Sequence, residues 1–238
     1  MLEELGGAMP DVPAEALARG VGALESAGAR VRVSYVSYTA RALGGMTFAR
    51  ACGRVRSHAG ATEIRVAPLR PGQKRPGYVA FTLAANERHG AASVRVSAQA
   101  IVDVSAHTGL DGIGAINQRL LRILRGSGVE AVTLWCVRLV KLYCFLPPLE
   151  IETARARFAE AIERGEGPWR YAACEKQRLR LSTGQPDSPH LVASVLPCGT
   201  ATLVCRSLPT LLRAGRATVE ALRGSGVGKK SHDGLKAK

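Results

Sequence analysis

At 238 residues, with 46% apolar but only 5% aromatic side chains, the chain can bury one large core or two smaller ones, and such cores are aliphatic. Its 33 Lys and Arg against 19 Asp and Glu leave a net charge of +14, which argues against an ordinary small-metabolite enzyme and for a polyanionic partner. No apolar run approaches the ~18 residues of a membrane span, Met1-Leu2-Glu3-Glu4 is not a signal-peptide start, and the six cysteines lack metal-site spacing, so a soluble intracellular protein with reduced thiols, no metal and no cofactor is expected.

In chain order, residues 13 to 28 carry Leu17, Val21 and Leu24 at helical spacing between Pro13 and Gly28 and predict a short helix. Val31 to Val36 alternates with period two and predicts a strand, and Ala42 to about Ser57 reads as a helix weakened by Gly44 and Gly45. Strands are then expected over Glu63–Ala67, Tyr78–Ala84, Ser93–Ser97 and Ile101–Ser105, separated by the Pro68–Gly77 loop and by Asn86–Gly90. Asp111–Arg125 predicts an amphipathic helix with Ile113, Ile116, Leu120, Ile123 and Leu124 on its apolar side.

A second series follows. Val132–Cys144 is a strand region, Glu150–Arg164 the clearest helix, and Gln177–Ser182, Leu191–Val195 and Thr200–Cys205 are strands. A last helix runs from about Pro209 to Arg223 with Leu212, Val219 and Leu222 inward, ahead of a basic tail that holds four lysines and reads as disordered.

The hexapeptide Leu124-Arg125-Gly126-Ser127-Gly128-Val129 recurs as Leu222-Arg223-Gly224-Ser225-Gly226-Val227 at an offset of 98. Each copy closes an Arg-rich amphipathic segment, so the chain reads as a duplicated module. The expected organisation is an N-terminal extension over 1–29, repeats over 30–128 and 129–226, and the tail over 227–238. Helices packed on one side of an antiparallel meander make this an α+β fold.

No phosphate loop, nucleophile elbow or zinc-protease helix is present, and His58, His89, His107, His190 and His232 fall in loops or at element ends. Asp103, Asp111 and His107 together do not outweigh the commoner case of a solvated loop histidine. No enzymatic activity is expected. The chemistry lies instead in strand arginines that alternate with aliphatics: Arg32, Arg65, Arg95 and Arg138, with Arg178 and Arg180 flanking Leu179. If one side of the sheet packs on helices, these arginines project from the other.

The duplicated strand, helix, meander, helix order resembles the TATA-box-binding protein family over roughly residues 30 to 225. Pro189-His190-Leu191-Val192-Ala193-Ser194-Val195-Leu196-Pro197-Cys198-Gly199 looks like the family's second-repeat hairpin, and Pro76-Gly77-Tyr78-Val79 looks like its Pro-Gly strand start. Val31-Arg32-Val33 and Val137-Arg138-Leu139 take the two symmetry-related first strands. The resemblance implies a saddle of two pseudo-symmetric halves, a curved sheet with helices on its convex side, and a concave side that binds duplex DNA. The family kinks DNA from the minor groove with apolar wedges. Here the wedge positions fall at or near Arg75, Val96, Cys174 and Leu196, so no aromatic wedge is kept, and the central asparagines fall on Arg32 and Arg138. Arginine can still donate to minor-groove acceptors. Implied contacts also include Ser34, Arg95, Val140, Arg178 and Arg180, with Arg119, Arg122, Arg213 and Arg216 on the helices facing basal transcription factors and RNA polymerase. The longer hairpins look more like TATA-binding-like proteins of large DNA viruses, which would place the chain in the nucleus, or in a host nucleus or viral factory. Two alternatives stand beside a transcription initiation factor: a protein-interaction scaffold of the same fold, and a substrate-recognition domain of a DNA glycosylase or ribonuclease H type.

Overall fold

The computed structural model describes residues 13–67, 77–185 and 188–225. Arg75, Pro76 and the basic tail lie outside them. The strand, helix, four strands, helix order occurs twice, after an initial helix α1 (Pro13–Ser26). The first series is β1 (Arg30–Gly44), α2 (Phe48–Ser57), β2 (Ala61–Ala67), β3 (Tyr78–Leu83), β4 (Ala92–Ser97), β5 (Ile101–Ala106) and α3 (Leu110–Leu124). The second is β6 (Val129–Phe145), α4 (Ile151–Glu163), β7 (Trp169–Glu175), β8 (Arg178–Gln185), β9 (Ser188–Val195), β10 (Thr200–Cys205) and a final helix. The strands are hydrogen-bonded in the order β2-β3-β4-β5-β1-β6-β10-β9-β8-β7, an antiparallel α+β arrangement. Two compact units divide within β1 and β6: one holds Val33–Val140 with the start of α1, the other Gly20–Arg32 and the chain from Lys141 on.

In the first unit, Val36, Tyr38, Ala40, Val79, Phe81, Val94, Val96, Val102 and Val104 alternate onto one side and are buried with Ile113, Ile116, Leu120 and Ile123 of α3. Burial of each large side chain contributes about 1.5–3 kcal/mol, which is why the period-two pattern settles the covered side. The Tyr38 hydroxyl donates to Asn117 Oδ1 at 2.7 Å and ties β1 to α3. The second unit has the same plan: Leu179, Leu181, Leu191, Ala193, Val195, Ala201 and Leu203 are buried. There the Phe158 ring of α4 meets Trp169 of β7 edge-on at 4.7 Å, and the Trp169 indole N–H donates to Thr218 at 3.0 Å.

Four expectations are corrected. The segment from Ala42 does not begin a helix: β1 continues to Gly44, the Ala42 N–H donates to the Ala100 carbonyl, and α2 starts at Phe48. Pairing of Ala40 and Arg41 with β5 overrides the weak strand propensity of Ala40 to Ala42. Gly44 is needed for close approach instead, because a Cβ there would collide with the Gly128 carbonyl, and one on Gly128 (φ +92°) with that of Gly45. The edge strand β7 goes unforeseen in the sequence, since Ala172-Ala173 and an irregularity between Trp169 and Tyr171 hide its alternation. The last helix is not uniform. It opens as α5 (Leu208–Thr210), capped by Ser207, widens into a π-helical turn over Leu211–Gly215, and closes as α6 (Arg216–Gly224). The π turn shifts the helical phase, so Leu211 rather than Leu212 is buried.

Both hexapeptide copies sit at helix C-termini. The Ser127 N–H donates to the Leu124 carbonyl at 3.0 Å, and the Ser225 N–H donates to that of Leu222 at 3.0 Å. Gly226 and Val227 lie outside the described residues.

Candidate nucleic-acid interface

Residues that alternate away from the helices form an open face in each unit. Across five strands of the first unit the register aligns Arg65, Ala80, Arg95, Asp103 and Thr39 in one row, exposed at the two arginines, half-buried at Ala80 and Asp103 and covered at Thr39. The adjacent row is Thr62, Thr82, Ser93, Ser105 and Ser37, a hydroxyl on every strand. The Ser105 hydroxyl donates to Ser37 at 3.1 Å, and Thr39 donates to Asp103 at 2.9 Å. A β-bulge between Thr62 and Arg65, with Glu63 at φ +53°, brings Arg65 to this side.

The cations of this face are mostly stacked or paired. Arg95 lies 3.9 Å from the centroid of the Tyr78 ring and Arg41 4.0 Å from that of Trp135, while Arg138 Nη2 is 3.3 Å from Asp103 Oδ1. In the second unit Arg180 lies between Ala173 and Ser194 in the ladder and its guanidinium donates to Glu175 at 3.0 Å. Arg178 pairs with Glu175 in register. Arg30 stands over Phe145 and Arg32 over Tyr143, which Lys141 also approaches. Stacking holds a planar guanidinium in place while leaving its edge N–H groups to donate.

The structure sorts the residues expected from sequence. Arg65, Arg95, Arg178 and Arg180 are exposed on the open faces, and exposed Arg32 and Arg138 reach partners there. Leu196, half-buried beyond β9, has the parity of Ser194. Three expected contacts are corrected. Val96 is fully buried against Val79 and Val102 on the helix side, and Val140 is 2% exposed. Cys174 pairs with the buried Leu179 and turns to α4, where hydrogen bonding to the Glu152 carboxylate pushes its thiol above the ordinary value. None of the three can wedge between bases from the open face. Ser34 is half-buried.

Of the four helix arginines, Arg119 is committed within the chain: its guanidinium donates to the Ala84 carbonyl at 2.6 Å and contacts His89 Nε2 at 3.1 Å. Its Nη1 is thereby held by the β3–β4 loop. Arg122, Arg213 and Arg216 are exposed, and Arg216 pairs with Glu220. Sequence reasoning missed Arg41, Lys141 and the stacked aromatics Tyr78, Trp135 and Tyr143. The signal was present in Arg41, which alternates with buried Ala40 and Ala42, but the expected strand stopped at Val36.

Among the described residues no cluster of His, Cys, Asp and Glu could hold a metal ion, and no helix is long and apolar enough to cross a membrane. All six cysteines are free thiols.

No family model matches the chain, and no curated protein sequence matches it. Among solved structures it is similar to the Methanococcus jannaschii TBP, at 10% identity and a TM-score of 0.49 over 82% of this chain and 99% of that one. It is also similar to the glycine cleavage system aminomethyltransferase T from Bartonella henselae, at 16% identity and a TM-score of 0.26 over 86% of this chain and 48% of that one. Neither likeness transfers a residue role to this chain.

Proposed function

We propose that the chain binds double-stranded DNA through the open faces of its sheet and acts as a transcription initiation factor resembling the TATA-box-binding protein. The observation that carries this reading is the Arg65–Ala80–Arg95 row, in register and flanked by the hydroxyl row, with Arg65 and Arg95 exposed among the described residues. Arginines donate to phosphates or minor-groove acceptors, and serine and threonine hydroxyls add neutral donors beside them. The net charge of +14 supports the same polyanionic partner. On this reading the exposed Arg122 and Arg213 face basal factors and RNA polymerase, and the protein works in a nucleus or in a viral factory. It performs no catalysis.

The test is a salt-series gel shift on A·T-rich and G·C-rich duplexes with wild type and with Arg65→Ala plus Arg95→Ala. Losing two phosphate-directed cations should flatten the log–log salt dependence by about 2. An unchanged slope would remove this face from DNA binding, and equal affinity for both sequences would remove promoter selectivity.

A second reading, a protein-interaction scaffold of the same fold, is favoured by the burial of Val96 and the turning of Cys174 toward α4. It predicts no salt-sensitive DNA binding at all.

A further inference from the structure

Among the described residues three large apolar side chains are exposed: Leu43 at 46%, Trp135 at 50% and Tyr171 at 47%. Leu43 and Trp135 both belong to the first unit and both adjoin Arg41. Leu43 follows two residues along β1, hence on the same side, and the Arg41 guanidinium covers one face of the indole at 4.0 Å. The other tryptophan shows what a structural indole looks like here: Trp169 is 7% exposed, packed on Phe158, with its N–H donated to Thr218. The Trp135 N–H finds no acceptor among the described residues. An indole left half in water with a cation held against it is poorly explained by packing.

We propose that Trp135 and Arg41 form a stacking site for one unpaired nucleobase of DNA. The inference rests on the nucleic-acid reading above and adds what the face distinguishes. A flat π surface of this size matches a base, and the planar Arg41 guanidinium extends the stack and carries charge toward the attached phosphate. The apolar part is one half-exposed indole with a guanidinium against it, too small and too charged for a hydrophobic protein contact or a lipid surface. In an intact duplex every base face is already covered by its neighbours. The site therefore selects DNA in which a base is unpaired or unstacked.

The chain's two tryptophans make the test direct, because Trp169 is shielded and Trp135 reports the site. The full-length protein is titrated with a hairpin duplex carrying one unpaired adenine and with the same hairpin fully paired, following fluorescence quenching and affinity. The unpaired base should quench Trp135 and bind about tenfold tighter. Trp135→Leu should abolish that preference, bringing the affinities for the two hairpins together, and Trp135→Phe should keep most of it. Equal affinities in wild type, or a preference that survives Trp135→Leu with an unchanged thermal melt, overturn the stacking site and leave duplex binding standing. Absence of binding to either hairpin at low salt overturns both.

Discussion

On the open face of the first unit Arg138 Nη2 lies 3.3 Å from Asp103 Oδ1, and the same carboxylate stands opposite Arg95 in the β4–β5 register. Asp103 is thus the acidic group in the middle of the arginine row. Its side chain is 39% exposed, so the ion pair adds little to stability, and its main effect is on the charge the face offers a polyanion. Asp103→Asn should bind duplex DNA more tightly at low salt, with a log–log salt slope steeper by about 1, and should melt within about 1 kcal/mol of wild type. Weaker binding by this variant would mean that Asp103 organises Arg138 rather than neutralising it.

Arg119 should behave as a structural residue. Arg119→Ala removes two contacts to the Ala84–His89 loop, and destabilisation of about 1–3 kcal/mol is expected in urea melts. Amide exchange should accelerate around Asn86–Gly90. Arg122→Ala, on the exposed side of the same helix, should leave both measurements unchanged.

The repeated hexapeptide contains a graded test of its glycines. A Cβ on Gly126 (φ +87°) would meet only Arg54 Nε at 4.0 Å, an ordinary contact, whereas one on Gly128 (φ +92°) meets the Gly45 carbonyl. Gly126→Ala should cost about 1 kcal/mol for the left-handed conformation alone, and Gly128→Ala distinctly more, as read by denaturant midpoint. Equal costs would mean that the β1–β6 approach relaxes freely.

Alkaline sensitivity should trace to buried acids. Burial pushes the Cys144 thiol from 9.0 up to about 12 and the Tyr38 phenol well above its ordinary 10.0. In both, the folded state holds its proton longer than the unfolded state. Their contribution is therefore complete below the ordinary values and is lost as pH rises toward the folded ones, from pH 9 for Cys144. Urea melts at about pH 8 and about pH 10 should show wild type losing stability over this interval and Cys144→Ala losing less. An identical loss in both proteins would assign the effect elsewhere.

Much of the fold was legible because periodicity is local. Alternation in Ser93–Ser97 and helical spacing in Asp111–Arg125 mark their elements without reference to the rest of the chain, and the hexapeptide pair marks equivalent helix ends. Where the local signal failed, a partner decided. Ala40-Arg41 becomes strand because β5 pairs with it, and Ala172-Ala173 becomes strand because β8 does. For the site, Arg65, Arg95, Arg178 and Arg180 were readable from their aliphatic neighbours alone, but Val96, Val140 and Cys174 were not. A strand carries two faces of opposite parity, and an error of one residue exchanges them.

The amino-acid sequence by itself thus determines a basic, duplicated α+β chain with arginines on alternating strand positions, since charge, repeats and period are properties of neighbours along the chain. Only the tertiary structure decides which parity the helices cover, that Arg119 reaches the β3–β4 loop, and that Arg41 meets Trp135 from the neighbouring strand. Those outcomes depend on register and packing between segments far apart in sequence, where burial of apolar area rather than local propensity sets the balance.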